Sequence, residues 1–87
     1  MDSEQYLTHP MFGLLYLICQ TTDSAALYST LYTQQLFFRV TQVERLRFEP
    51  VSRDQARRAL EVQIKQLRIK GPSEELARLL QFQKHYF

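Results

Sequence analysis

The charged residues of this 87-residue chain are distributed so unevenly that its two halves must fold differently. Between Gln5 and Phe38 the only formal charge is Asp23, whereas seventeen of the forty-nine residues from Arg39 onward are charged. A chain of this length buries only about 60 to 65% of its unfolded surface. We therefore expect part of the apolar surface of the first half to stay exposed. Exposed apolar surface is typical of interaction sites. Seven of the eleven aromatic residues lie in that half: Tyr6, Phe12, Tyr16, Tyr28, Tyr32, Phe37 and Phe38.

The composition excludes several classes of protein. Cys19 is the only cysteine, which excludes an internal disulfide, and we expect it to be a buried apolar residue. The longest apolar run, residues 11–19, is too short to span a bilayer. The acidic N-terminal residues lack the basic segment of a signal peptide. We therefore expect a cytoplasmic protein without a membrane association.

Alternating apolar residues predict that the first half forms β-strands. Length and aromatic content favour strands over helices in these segments. In the last of them, Leu46 and Phe48 are predicted to face inward and the charged residues outward. Four or five short sequential strands predict a bent antiparallel sheet or a small open barrel. The predicted strands cover residues 6–7, 12–19, 26–32, 36–40 and 45–49.

The second half predicts a hairpin of two helices. Ser52 and Gln55 form the capping-box pattern that begins a helix, and Gly71-Pro72 ends it. Ser73 caps the second helix. We expect the apolar stripes to pack on each other and on the sheet, although a hairpin that leaves the sheet would use them on another protein. The stripes are Ala56, Leu60, Ile64 and Leu67, then Leu76, Leu79, Leu80, Gln83 and Phe87.

Catalysis and metal binding have little support in the sequence. His9 and His85 lie in separate elements, without an obvious nucleophile or carboxylate partner. The only glycines are Gly13 and Gly71, so a phosphate-binding glycine loop is excluded. Two scattered histidines and one cysteine do not make a zinc site. We therefore expect a protein that is not an enzyme and has no cofactor.

The apolar strands predict one core face and one exposed face. Phe37 and Phe38 are adjacent, so they point to opposite faces of a strand. Tyr32 offers the large, rigid contact area of an interface anchor; alternatively, Tyr28 and Tyr32 complete a small barrel with only their hydroxyls exposed. We expect Leu15, Leu27, Leu31 and Phe37 to form the core, and Tyr6, Tyr32, Leu36 and Phe38 to form surface that a partner covers.

Two long motifs resemble those of a known family. Residues 6–16 contain Tyr-Leu, His-Pro and Phe-Gly-Leu-Leu-Tyr, and residues 30–38 contain Thr-Leu-Tyr, Gln and Leu-Phe-Phe. With Arg-Phe-Glu-Pro at 47–50, they are similar to the cyanobacterial PII-interacting protein X (PipX) family. The resemblance implies an α+β fold: a Tudor-like bent antiparallel sheet of five strands, residues 1–51, followed by two C-terminal helices, residues 52–87.

The resemblance also implies a non-catalytic adaptor of nitrogen regulation with two partners. When 2-oxoglutarate is scarce, the trimeric signal protein PII holds the adaptor with its extended T-loops. When 2-oxoglutarate is abundant, PII binds ATP and 2-oxoglutarate and releases the adaptor, which then stabilises the active form of the dimeric transcription factor NtcA. The two partners use overlapping surface, so binding is exclusive and is linked to an effector that the adaptor need not bind. The free adaptor is expected to be a monomer without direct nucleic-acid contacts.

Position 35 departs from the pattern of the family, which has Arg where this chain has Gln35. A charge-assisted hydrogen bond is worth roughly 1.5 to 3 kcal/mol, so we expect weaker PII binding or a contact shifted to a neighbour such as Arg39.

The alternative function is a Tudor/KOW-like nucleic-acid-binding module that uses the basic helix 53–70. The partner surface implied by the resemblance consists of Glu4, Tyr6, Asp23, Tyr32, Gln34, Gln35, Leu36 and Phe38.

Overall fold

The computed structural model describes residues 6–22, 24–31 and 34–87, which form one antiparallel sheet followed by two helices. The strands pair in chain order, so that β1 and β5 are the two edges. This arrangement confirms the predicted α+β class and the five-stranded sheet. The division into domains 1–51 and 52–87 stays a prediction. The elements are β1 (Tyr6–His9), β2 (Gly13–Thr22), β3 (Ala25–Thr30), β4 (Phe37–Gln42), β5 (Leu46–Val51), α1 (Arg53–Lys70) and α2 (Glu74–Tyr86).

Two register shifts in β2 bend the sheet, and the first of them is at Ile18. Leu17 pairs with Tyr28 and Cys19 pairs with Leu27, which leaves Ile18 without a partner position on β3. A bulge of this kind bends its strand and increases the local twist. As a result, Ile18 and Cys19 lie in the same core although they are neighbours in one strand.

The bent sheet has two apolar faces, and both are buried. One face packs against the helices; we call this cluster the helix-side core. The other face lines the inside of the bend; we call it the concave core. The helix-side core contains Ile18, Cys19, Leu27, Phe37, Ala56, Leu60, Ile64, Leu79 and Phe82. The concave core contains Leu15, Tyr28, Phe38 and Val40, flanked by Leu7, Phe12, Leu17, Ala26 and Phe48.

The prediction of one buried and one exposed sheet face is therefore wrong. Phe38 was expected at the surface, but it is only 3% exposed because the sheet bends over it. Leu31 was expected in the core, but it is 58% exposed because β3 ends at Thr30 and the alternation of faces ends there too. Leu46 is also exposed, at the beginning of the edge strand β5.

His9 closes the bend between the two edge strands. Its ring centre lies 5.0 Å from that of Phe38 on β4 and 4.7 Å from that of Phe48 on β5. Its Nδ1 accepts hydrogen bonds from the backbone amides of Met11 and Phe12, at 3.0 and 3.2 Å. Because both amides donate to Nδ1, the neutral ring carries its proton on Nε2. His9 thus fixes the β1–β2 turn and covers the concave core.

The helix boundaries follow the predicted caps. The Ser52 hydroxyl accepts from the Gln55 amide at 3.0 Å, and the Gln55 side chain accepts from the Ser52 amide at 2.8 Å. Gly71 follows α1 with a φ of +109°, a conformation that favours glycine. The Ser73 hydroxyl accepts from the Leu76 amide at 3.0 Å. The predicted capping box and both predicted ends are confirmed.

Both helical stripes pack as expected, with one correction. Ala56, Leu60 and Ile64 of α1 are buried against the sheet, as is Leu79 of α2. In the last turns of α2, Phe82 is buried. The predicted apolar stripe had included Gln83 there and not Phe82. The helices and the sheet therefore share one core.

Candidate partner-binding surface

The structure places the predicted partner-binding residues in three different settings. Gln34, Gln35 and Leu36 lie together on the connection between β3 and β4. Tyr6 lies on the edge strand β1, which is not a neighbour of β4 in the order of the sheet. Phe38 lies inside the concave core. The remaining three predicted residues, Glu4, Asp23 and Tyr32, lie outside the described residues.

Thr30 holds the connection between β3 and β4 in place. Its backbone amide donates to the Leu36 carbonyl at 2.9 Å, and its Oγ1 accepts from the Leu36 amide at 3.0 Å. Thr30 itself is fully buried, whereas the Leu36 side chain is 43% exposed. Sequence reasoning missed this role because it placed Thr30 inside the predicted strand 26–32 and not at its end.

Leu36 lies between two open grooves that share a border. The large groove has a volume of about 780 Å³, the small groove one of about 310 Å³, and Gln35, Leu36 and Arg53 line both. We call the two grooves together the docking surface. Leu31, Gln34, His85 and Tyr86 complete the large groove, and Phe12, Phe37, Phe38, Pro50, Val51 and Ser52 complete the small one.

Arg53 connects the docking surface to the end of α2. Its guanidinium carbon lies 5.0 Å from the ring centre of Phe87 and 6.0 Å from that of Phe37, within the range of cation–π contacts. The same guanidinium donates to the backbone carbonyl of Tyr86. The last turn of α2 therefore forms a wall of the large groove. Sequence reasoning missed Arg53, His85 and Tyr86 because only tertiary packing brings them to the β3–β4 connection.

Comparison with known families gives one result that covers nearly all of the chain. The family model described as PipX, PII-interacting protein X, matches residues 3–87. The chain belongs to the PipX family. The comparison with curated proteins returned no match. The resemblance seen in the two sequence motifs is confirmed, and the PipX family is defined by interaction with PII rather than by an enzymatic activity.

Acidic neighbours compensate the basic residues at the beginning of α1 in this PipX-family chain. Asp54 accepts from Arg57 and Arg58, and Arg57 also donates to Glu61 at 3.2 Å. The hydrogen bonds from Arg58 and Arg57 lower the pKa of Asp54, and the bond to Asp54 raises the pKa of Arg57. These pairs are exposed, so they contribute little to stability, but they reduce the attraction of this face for phosphate.

Arg39 does not border the docking surface. It was expected as a substitute contact for the family's Arg at position 35, but it pairs with Glu49 across β4 and β5, at 3.7 Å. Gln35 itself lines both grooves. Arg53 also lines both grooves, and it supplies the guanidinium among their described lining residues.

Cys19 is buried, as predicted. Burial raises the pKa of its thiol to about 12, and the nearby positive charge of Arg78 offsets only part of this effect. The thiolate is the nucleophilic form of cysteine, so we expect the thiol of folded Cys19 to react slowly.

Within residues 6–22, 24–31 and 34–87, no three His, Cys, Asp or Glu side chains are placed to hold a metal ion. In the same part of the chain, no helix is both long and apolar enough to span a membrane.

We expect Cys19 to react with an aromatic disulfide reagent only after the chain unfolds. A pKa near 12, against 9.0 for an unperturbed thiol, leaves about 1,000-fold less thiolate at neutral pH. The measurement is the rate of thiol modification in native buffer and in concentrated urea, with the unfolded chain as the control. Comparable rates in the two solvents would show that Cys19 is accessible in the folded protein.

Proposed function

We propose that this chain is a non-catalytic adaptor that binds PII when 2-oxoglutarate is scarce and binds and activates NtcA when 2-oxoglutarate is abundant. One observation carries the proposal: a chain of a family defined by interaction with PII exposes Leu31, Leu36 and Tyr86 around the large groove. Exposed apolar side chains of this kind, rimmed by polar groups, are typical of protein interaction sites.

The proposed contacts keep the residues that the family resemblance implies. Gln34, Gln35 and Leu36 present the centre of the surface, and Glu4, Tyr6, Asp23 and Tyr32 are proposed to extend it. Phe38 has a different role from these residues, because it is buried beneath the small groove and does not lie at its rim. We propose that Phe38 supports the β3–β4 connection from inside the concave core.

Use of one docking surface for two partners makes their binding exclusive. The effector then acts on the partners: ATP and 2-oxoglutarate lower the affinity of the PII trimer, and 2-oxoglutarate favours the form of the NtcA dimer that the adaptor stabilises. This is linkage, in which the coupling free energy resides in the partner. The adaptor is proposed to be a cytoplasmic monomer when free.

The alternative of a nucleic-acid-binding helix loses support from the ion pairs of α1. Asp54 and Glu61 engage Arg57 and Arg58, so the beginning of the helix offers less free positive charge than its sequence indicates. Among the described residues that line the two grooves, Arg53 is the only one from α1, so the docking surface does not include the basic residues further along that helix. A salt-dependent gel shift with single-stranded RNA at low salt would restore this alternative.

Pull-down with PII tests the proposed function. The chain should be retained by PII without effectors and released when ATP and 2-oxoglutarate are added together. Retention under neither condition would contradict PII binding, and equal retention under both would contradict the effector link. Addition of NtcA with 2-oxoglutarate should displace PII from the chain, and a stable ternary complex would contradict the shared surface.

Leu36→Ala should weaken PII binding at least 10-fold while changing the free energy of unfolding by less than about 1 kcal/mol. A central apolar anchor contributes about 2 kcal/mol or more to binding, whereas a half-exposed leucine contributes little to the core. Calorimetric titration with PII measures the first effect and urea unfolding the second. Val62→Ala is the matched control, since Val62 is similarly exposed on α1 and lines neither groove. If the two variants bound PII with equal affinity, Leu36 would not be part of the surface that contacts PII.

A further inference from the structure

We propose that Arg53 is the charged anchor of the docking surface, and that the segment of PII seated there carries a carboxylate next to an apolar side chain. The inference rests on the proposed function and specifies the chemistry of the partner. It is carried by the position of Arg53 between the two grooves and by the groups that surround it.

Arg53 is the one permanently charged side chain among the described residues that line the grooves. Asp and Glu are absent from both linings within the described part of the chain, and the neighbours of Arg53 there are mainly neutral amides and apolar groups. None of the ion pairs among the described residues includes Arg53. No carboxylate among the described residues therefore neutralises its charge, which can meet a group that enters from outside.

The guanidinium keeps hydrogen-bonding capacity after its internal contacts are made. A guanidinium has five N–H donors, and among the described residues that of Arg53 donates to one acceptor, the Tyr86 carbonyl. Carboxylates match the planar fork of arginine in a bidentate arrangement. A carboxylate is thus the group that best completes the site.

The local structure holds Arg53 where a helix alone would not favour a cation. Arg53 is the first residue of α1, and the helix dipole favours negative charge at that end, as at Asp54. The rings of Phe37 and Phe87 and the carbonyl of Tyr86 fix the guanidinium instead. A side chain that is already fixed loses less conformational entropy when a partner binds. The arrangement therefore suits recognition as well as the attachment of α2.

The surroundings of Arg53 define the rest of the bound segment. Leu31, Leu36 and Tyr86 give the large groove its apolar surface, and Gln34 and Gln35 give it neutral hydrogen-bonding groups. An aliphatic side chain adjacent to an Asp or Glu fits this combination, with the aliphatic group in the groove and the carboxylate on Arg53. A segment with a positive charge at that position would be repelled.

Variants of Arg53 separate this role from a purely structural one. Arg53→Met keeps the apolar stem, and we expect it to weaken PII binding at least 10-fold and to reduce the salt dependence of the affinity. Arg53→Glu should weaken binding further, and Arg53→Lys should retain part of it. Lys65→Met, which removes an exposed charge from α1 away from the grooves, is the matched control and should bind like the unaltered chain. Each affinity is measured by calorimetry at two salt concentrations, at temperatures where urea and thermal unfolding show the variant to be folded.

The outcomes distinguish the inference from the proposed function. If the unaltered chain binds PII, and Arg53→Met binds within twofold with the same salt dependence, the anchor is overturned while the function stands. If the unaltered chain does not bind PII, the function itself fails. A set of PII variants with single Asp→Arg or Glu→Arg changes should contain one that restores binding to Arg53→Glu. Failure of every such variant to restore binding would overturn the carboxylate assignment.

Discussion

Phe38→Ala is expected to lower the free energy of unfolding by about 4 kcal/mol. Truncation of a buried phenylalanine typically costs 3 to 5 kcal/mol, because it removes apolar contact and leaves a cavity. Phe38 is almost completely buried, and its ring contacts those of His9 and Phe12, at centre distances of 5.0 and 5.6 Å. Urea unfolding followed by circular dichroism measures the loss.

The control for Phe38 is its neighbour Leu36, which is 43% exposed and lies two positions earlier. Phe38→Ala should mainly lower the free energy of unfolding, and Leu36→Ala should mainly lower the affinity for PII. Phe38→Leu, which keeps much of the apolar volume, should fold and retain most of the binding. If Phe38→Ala had the stability of the unaltered chain and lost PII binding, Phe38 would be a contact residue and not a core residue.

Leu60→Ala is expected to lower the free energy of unfolding by about 3 kcal/mol. Leu60 is fully buried at the centre of the helix-side core, where α1 meets the sheet. Leucine-to-alanine changes at such sites cost about 2 to 5 kcal/mol. A domain of this size has a total stability of about 4 to 13 kcal/mol, so the loss removes a large share. Urea unfolding of the variant measures the change.

Val62→Ala is the control for Leu60, since Val62 lies on the same helix but faces outward and is half exposed. It should change the free energy of unfolding by less than about 0.5 kcal/mol. Equal losses for the two variants would mean that α1 does not pack on the sheet through its Leu60 face.

The secondary structure was predictable because its signals are local. Ser52, Gln55, Gly71 and Ser73 determine the helix ends through contacts within three or four residues, and all four have the predicted roles. Alternation likewise predicted the strands, since faces repeat every second residue. These signals depend little on the rest of the fold.

A bent sheet was predicted, but the burial of both its faces was not predictable in the same way. The extra residue Ile18 in β2 has no distinctive side chain, yet it contributes to the bend that gives the sheet two cores instead of one. This is why Phe38, on the opposite face from Phe37, is buried rather than exposed. Period-two alternation assigns residues to the two faces of a strand, but it does not say whether the bend of the sheet buries the second face.

The docking surface was predictable only in the part that one segment supplies. Gln34, Gln35 and Leu36 are close in sequence, and the family motif indicated them. Arg53 and Tyr86 come from the opposite ends of two helices, and they meet the β3–β4 connection through contacts of Arg53 with Phe37 and the Tyr86 carbonyl. Contacts between residues so far apart in sequence depend on how the helices pack, which no local pattern specifies.

The most direct test of the docking surface is nuclear magnetic resonance of the isotope-labelled chain with a small amount of unlabelled PII. Amide signals of residues 34–36, Leu31, Arg53 and Tyr86 should broaden or shift first, and they should recover when ATP and 2-oxoglutarate are added. The signals of Val62 and Ile69, on the outward face of α1, should stay unchanged. Changes confined to that outward face, or no change anywhere, would contradict the proposal that this PipX-family chain binds PII through the grooves around Leu36.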